Sequence, residues 1–474
     1  MIHLVLIAIV LTVYLGGPLD AVTDGGWPMG AGVAAAGAAM PLAYAWAVRR
    51  AVAALGTARG RGRLRRLDRW TPAYQLGAVA WLAAAIAAGW LAWLRGGIGD
   101  LVLVDELLAM LPAIGLIVWQ WLAYYPIDRR LREASLMGGL DAGRPVYPIW
   151  TRGQYLLAQM RHHLALILGP VLPMLAWSEW LARLATGVGG EPVISEAAAG
   201  GLTLGGAAMI FLFAPLLIVR LWHTRSLPSG EIRETLSAMC RRAGVKVRDL
   251  LVWHSHGGVV NAAVMGLVAP LRFVLLSDGL LDQLERPHVE AVMAHELGHV
   301  KKKHMPTLAM AAIGSLGLIE VGVRRGLASI GGDGLGAWGI EPAAVSAVAA
   351  AGGLAAWAGV FGWVSRRIER EADVFAVRTL VSERGGTEAS GGRVIDAESA
   401  QQMIGALGRV AALAHVDPRR RSWRHGSIAW RQRYLGSLVG KPADRLPIDR
   451  AMRRVRAASV AMVIGLIAAA SGLV

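Results

Sequence analysis

Residues 295–299 read His295-Glu296-Leu297-Gly298-His299. Four residues turn an α-helix by about 400°, so the two imidazoles project from nearly the same face, one turn apart, where they can share one metal ion. Glu296 is rotated by about 100° from His295, which directs its carboxylate at a water beside the metal rather than at the metal. Pro287 suits the first turn of such a helix, and Glu290 lies early enough for the helix dipole to favour its charge. Upstream, the polar segment 223–304 reads as a helix over 230–243, short strands at 250–253 and 273–276, and then the motif helix. That is a small α+β domain.

Two histidines do not complete a catalytic zinc site, which takes three protein ligands and keeps a fourth position open. An extended HExxHxxGxxH pattern fails, because positions 302 and 305 are Lys302 and Met305. On a continuing helix His304 falls about 140° from the ligand face. Glu320 lies in the far half of an apolar stretch, followed by Arg324. The candidate that survives is the segment Arg366-Arg367-Ile368-Glu369-Arg370-Glu371-Ala372-Asp373. Two apolar stretches separate it from His299, and an even number of crossings returns the chain to the same side. Glu369 and Asp373 share a helical face, so one carboxylate can ligate zinc while the other accepts the free N–H of a ligating imidazole and fixes its tautomer.

The rest of the chain sets this domain in a membrane. Of 474 residues, 55% are hydrophobic and only 17% charged, where soluble chains carry about a quarter charged residues. Mean hydropathy is +0.46. Nine stretches approach the roughly 20 apolar residues that a span requires: 2–16, 28–48, 75–94, 103–125, 164–182, 203–222, 305–324, 343–363 and 457–473. The first lacks a basic leader and a small-residue cleavage pattern, so a retained span is expected. Basic residues sit in alternate connections, as in Arg59 to Arg69, while Asp20, Asp24, Asp100, Glu191 and Glu196 occupy the others. The positive-inside rule then places 49–74, 126–163, 223–304 and 364–456 in the cytoplasm, with Arg324 and Arg325 as exceptions. This also accounts for the formal charge of +16 without a nucleic-acid partner. Cys240, the one cysteine, excludes an intrachain disulfide and a cysteine zinc cluster. His254 and His256 alternate as on a strand and read as a structural pair. Residues 383–399, rich in Gly, Ser and charge, read as a mobile loop.

With these motifs in hand, the sequence resembles the peptidase family M48 of membrane zinc metallopeptidases, of the HtpX-like and CAAX prenyl protease-like kind. The resemblance rests on His295 to His299 followed by Val300-Lys301-Lys302-Lys303-His304, and on Ser365-Arg366-Arg367-Ile368-Glu369 leading to Asp373. Asn261-Ala262 with Gly266 is similar to an upstream asparagine–alanine segment, and His425 with Arg431 to a late His-Pro-x-x-x-x-Arg motif, with Gly426 in place of the proline. It covers about 230–435 and leaves the first 220 residues unmatched.

The resemblance implies a mainly α polytopic membrane protein whose small α+β HExxH domain is split by a transmembrane hairpin. Its parts are an N-terminal region of about six spans (1–222), the catalytic segments 223–304 and 365–456 around the hairpin 305–364, and a last span (457–474). One zinc ion per chain is implied, held by His295, His299 and Glu369, with Asp373 behind a ligand and Glu296 as general base. His425 is the candidate second donor to the oxyanion, and Asn261, Ala262 and Arg431 are candidate substrate contacts. The expected partners are the lipid bilayer and protein or peptide substrates associated with it. The expected place is a bacterial-type inner membrane, with the site facing the cytoplasm. A transporter, or a catalytically silent scaffold, is the alternative. A transporter would carry ionisable residues inside several spans, and those present (Asp105, Glu106, Glu179, Glu320) lie mostly near span ends.

Overall fold

The computed structural model describes residues 30–57, 60–141, 146–185, 193–330, 342–383, 394–414 and 416–470. The protein is mainly helical and separates between Thr224 and Arg225 into two compact units. Among the described residues three helices are long and apolar enough to cross a membrane: Val104–Ala134, Ala198–Leu221 and His304–Gly326. Two bent pairs, Gly62–Ile86 with Trp90–Ile98 and Arg152–Ala165 with Leu168–Ala185, raise the number to five. These five coincide with the expected spans at 103–125, 203–222, 305–324, 75–94 and 164–182. The stretches 28–48, 343–363 and 457–473 fall largely within the helices Gly30–Ala53, Pro342–Glu383 and Pro447–Ala470. The stretch 2–16 lies outside the described residues. In the span at 164–182, Pro170 and Pro173 are both inside the helix Leu166–Ala185, and an irregular turn precedes them, as the π-helical segment Met160–Ala165.

In the first unit Leu82, Ile86, Met110, Ile117 and Trp121 form an apolar core. A polar chain runs beside a second cluster, with Gln75 Nε2 donating to Gln120 Oε1 at 3.0 Å and Gln120 Nε2 to Tyr44 Oη at 3.3 Å. Amides buried between apolar helices satisfy one another, because lipid offers them no partner.

The second unit is built on a four-stranded sheet of order β1-β2-β4-β3: β1 (Thr224–Ser226), β2 (Asp249–Trp253), β3 (Ala262–Met265) and β4 (Phe273–Ser277). β2 runs parallel to β4, and β3 runs antiparallel to it at the open edge. β4, buried at all five positions, reads FVLLS, as an interior strand should. The helices Glu231–Arg242 and Arg286–Lys301 pack on this sheet, both supplying residues to one core with Leu236, Met239, Val274, Leu276, Met293 and Leu297. Three sequence expectations change. His254 and His256 are not on a strand: β2 ends at Trp253, and His256 adopts φ +52° in a turn whose backbone N–H groups at His256 and Gly257 donate to Asp278. The loop expected over 383–399 is shorter, because Asp396 caps a helix beginning at Ala397, its carboxylate accepting the Ser399 N–H; residues 384–393 lie outside the described residues. The hairpin helices are also longer than expected. The second is one continuous helix, Pro342–Glu383, that carries the chain from the apolar stretch directly into Glu369 and Asp373.

That helix meets the motif helix at Gly298. A Cβ on Gly298 would stand 3.1 Å from Phe375 Cδ1 and 3.2 Å from Ala372 Cα, so the two helices approach closely within the HELGH stretch. Gly298→Ala is expected to cost about 1–3 kcal/mol of stability by overpacking. Gly298→Val should part the helices and separate the histidines from Glu369. Thermal unfolding with zinc retention on the purified variants checks this, and a valine variant that holds zinc like wild type would refute it.

Candidate metal centre

His295 and His299 present Nε2 atoms 3.2 Å apart. Glu369 Oε2 lies 3.7 Å from the first and Oε1 4.0 Å from the second. Donor atoms of His295, Glu296 and His299 all fall within 4.8 Å of one another. The tautomers follow from what stands behind each ring. His295 Nδ1 is 2.9 Å from Asp373 Oδ1, and a carboxylate can only accept, so the proton is on Nδ1 and Nε2 carries a lone pair. Behind the other ring, His304 Nε2 is 2.8 Å from Glu371 Oε2, and His304 Nδ1 is 3.0 Å from His299 Nδ1. Glu371 takes the His304 Nε2–H, His304 Nδ1 takes the His299 Nδ1–H, and His299 Nε2 is left bare.

With both rings neutral, two lone pairs converge at 3.2 Å, an arrangement that a cation satisfies. Zinc–nitrogen bonds of about 2.0–2.1 Å at a tetrahedral angle put two nitrogens about 3.3–3.4 Å apart. The residues fit zinc.

The charges around the site are balanced by Arg431. Its Nε donates to Asp373 Oδ2 at 2.7 Å and its Nη2 to Asp373 Oδ1 at 2.5 Å, while Nη1 lies 3.2 Å from Glu369 Oε2. Burial alone would raise both carboxyl pKa values. The His425 hydrogen bond and the Arg431 charge hold Glu369 well below the usual carboxylate range, and Arg431 does the same for Asp373. Burial and its neighbour His295 drive His299 down to about 3, so it is neutral and ready to ligate. Burial works against protonation of His295 too, but the hydrogen bond and charge of Asp373 prevail and raise it. Glu296, pushed up to about 7 chiefly by burial, sits where a general base works best at neutral pH.

The structure brings His295, Glu296, His299, Glu369, Asp373, His425 and Arg431 together. Arg431 is put to another use than the expected substrate contact: it is buried, with its guanidinium on the two carboxylates. His425 is half exposed, its Nδ1 3.0 Å from Glu369 Oε1. It is carried by a tight turn in which Ser422 and Gly426 exchange backbone hydrogen bonds, and Gly426 takes φ +74°, which proline cannot adopt. Asn261 is exposed, and its backbone is engaged by β4: the Asn261 carbonyl accepts the Ser277 N–H, and its N–H donates to Ser277 Oγ. Alternation then turns the backbone of Ala262 and Val264 outward, and the Val264 N–H donates to Glu296 Oε2 at 3.3 Å.

Sequence reasoning missed His304, Glu371 and Val264. The rotation that dismissed His304 assumes an unbroken helix. The helix in fact ends at Lys301, Lys303 takes φ +53°, and a new helix starts at His304, which swings His304 behind His299. A second group of carboxylates, Asp100, Asp105 and Glu179, also comes within 4.8 Å. There Arg95 holds Asp105 at 2.6 Å, and Arg183 holds Asp100 at 2.9 Å and Glu179 at 2.7 Å, so it reads as an ion-pair network.

Residues 226–401 match the model of peptidase family M48. A protein named Protease HtpX homolog, from Aeropyrum pernix, is 30% identical over 190 residues, 39% of this chain and 57% of that protein. Protease HtpX of Haemophilus influenzae is 34% identical over 77 residues, 16% of this chain and 26% of that protein. The chain therefore spans between about a quarter and just over half the length of these curated relatives. The crystal structure of S. mikatae Ste24p matches with a TM-score of 0.51 at 15% identity, over 87% of this chain and 100% of that one. At that identity the likeness is one of fold, and it reaches beyond 230–435, where the motifs end. The resemblance to family M48 that the motifs carry is confirmed, and the fold is that of a polytopic, mainly helical membrane protein.

Replacing His304 by Phe keeps the volume but removes the acceptor behind His299. Zinc affinity in a chelator competition is expected to fall by about 10–100-fold, and an unchanged affinity would show that the contact does not orient the ligand. Zinc affinity should also fall as pH drops below 7, because His295, whose pKa is raised, must lose its proton to ligate. For the one proton displaced, the slope should approach roughly tenfold per pH unit well below that pKa.

Proposed function

We propose that this chain is an integral-membrane zinc metalloendopeptidase that hydrolyses peptide bonds in membrane-associated or misfolded proteins. The observation that carries this reading is the pair of imidazole Nε2 atoms 3.2 Å apart, with Glu369 beside them and the Glu296 carboxylate in the same group. A zinc ion bound there would polarise the scissile carbonyl and acidify water. His295, His299 and Glu369 would hold it, one carboxylate opposing two neutral imidazoles, so that the site keeps a net positive charge toward an incoming carbonyl.

The other side chains divide the work. Glu296, balanced near neutrality, takes the proton of the attacking water and returns it to the leaving amine. The Val264 N–H keeps that carboxylate oriented toward the site. His425 serves the oxyanion. Its Nδ1 lies 3.0 Å from Glu369 Oε1, which leaves the Nε2 edge of the ring for the substrate. The outward backbone of β3 at Ala262 accepts an extended substrate as an added strand, which binds main chain rather than side chains and so tolerates many sequences. The basic segments 49–74, 126–163, 223–304 and 364–456 support a site on the cytoplasmic side of a bacterial-type inner membrane.

Purified wild type is expected to cleave an unfolded protein and to stop when zinc is chelated. Glu296→Gln should retain zinc and be inert. His425→Ala should lower kcat by about 100-fold with a smaller effect on KM. Equal cleavage by wild type and Glu296→Gln would assign the activity to a contaminant and remove this reading.

A further inference from the structure

The turn that presents His425 belongs to an arginine-rich segment, Asp417-Pro418-Arg419-Arg420-Arg421-Ser422-Trp423-Arg424-His425-Gly426. It is pinned to the helix Pro342–Glu383 at the end of that helix's apolar stretch. Trp423 Nε1 donates to Ala358 O at 3.0 Å, and its ring stacks on Phe361 with centroids 5.5 Å apart and planes 25° from parallel. Gly362 makes room for it, since a Cβ there would stand 2.6 Å from Trp423 Nε1. Arg366 Nη1 donates to Trp423 O at 2.8 Å. Arg367 lies 3.5 Å over the exposed Trp363 ring, and Arg424 lies 5.8 Å from the Phe361 ring. Tryptophan with arginine at the end of an apolar stretch marks the depth of lipid headgroups.

Arg419, Arg420 and Arg421 are exposed at this level. The segment contains one carboxylate, Asp417, which accepts the Arg419 backbone N–H at 2.9 Å. Among the described residues no carboxylate is paired with the three guanidinium groups. Three adjacent exposed cations thus share a turn with Arg424 that is anchored through Trp423 at the end of an apolar stretch, and that turn ends on His425 beside Glu369.

We propose that residues 417–424 form a binding site for the phosphate of anionic phospholipid headgroups, and that its occupation sets the turn carrying His425. The second clause rests on the peptidase reading; the first does not. Trp423 and Phe361 fix the segment's height, Arg419 to Arg421 take the phosphates, and the Ser422–Gly426 backbone pair passes the resulting constraint to His425. A soluble polyanion would meet the same charges, but the tryptophan anchored on an apolar helix favours a ligand that is itself in the membrane.

The test separates the two clauses. Delipidated full-length protein in neutral detergent is titrated with phosphatidylglycerol or phosphatidylcholine and the bound lipid counted by native mass spectrometry, for wild type, Glu296→Gln and the triple variant R419Q/R420Q/R421Q. Wild type and Glu296→Gln should prefer phosphatidylglycerol equally. The triple variant should lose that preference by on the order of a hundredfold, about fivefold per arginine, and added salt should weaken the wild-type preference. Activity in nanodiscs should rise with phosphatidylglycerol for wild type, and the triple variant should stay at the phosphatidylcholine level. No lipid preference in wild type, or an undiminished one in the triple variant, overturns the site. So does displacement of the lipid by inorganic phosphate or RNA at matched ionic strength. Preserved lipid binding without a change in wild-type activity overturns only the coupling to His425. Absence of activity in every lipid strikes the peptidase reading and leaves the lipid site standing.

Discussion

Arg431 is the charge on which the site depends. Asp373 and Glu369, one helical turn apart, are both buried among apolar residues, and two such carboxylates left to themselves would repel and take up protons. A guanidinium clamped on Asp373 through two nitrogens, and reaching Glu369 with a third, keeps both ionised. Asp373 can then hold the proton of His295 at Nδ1, and Glu369 remains an anion in front of the two imidazoles. Removal of one member of such a buried set leaves an uncompensated charge, a loss typically worth about 3–5 kcal/mol. The helix Ile428–Gly436, which carries Arg431, is therefore as much a part of the metal centre as the helices bearing the ligands.

The arrangement also explains why neither histidine could be judged alone. In the neutral rings each Nε2 is left free to ligate because a partner on the far side of the ring fixes the proton there. For His295 that partner is Asp373, one turn from Glu369 on the same helix. For His299 it is a relay through His304 to Glu371, which Arg456 holds from the last helix at 2.5 Å. Residues 369, 371 and 373 thus send side chains to different members of one cluster from a single helix. The close approach at Gly298 is what lets them reach.

What was legible in the sequence followed periodicity. HExxH and the i, i+4 pair Glu369 and Asp373 are helical spacings, and both lie on helices, so their faces could be read before any contact was known. The strands at 250–253 and 273–276 were legible as short apolar runs between turn residues. The relay through His304 was not read, because it depends on a helix break at Lys302 and Lys303; the signal was Pro306, which suits the first turn of a new helix and cannot continue the old one. The role of Arg431 was hidden for another reason. Asp373, its bidentate partner, lies 58 residues away, and an arginine read alone looks like a surface group. Gly426 pointed the right way only in retrospect: a departure from the motif's proline is also what a left-handed turn requires.

Under the proposed function, the edge strand would join chemistry to substrate geometry. β3 pairs with β4 through alternate residues, so its outward N–H groups would be unsatisfied in a dry cleft. One of them, at Val264, is spent on Glu296. A substrate strand laid along this edge would pair with the outward backbone groups that remain, and its register would be set against the same strand that orients the general base. The position of the scissile carbonyl relative to Glu296 then follows from main-chain pairing alone, without a pocket for any particular side chain. On the peptidase reading proposed above, such a site would select for chains that can become extended, which beside a membrane would be unfolded segments and the loops of other membrane proteins.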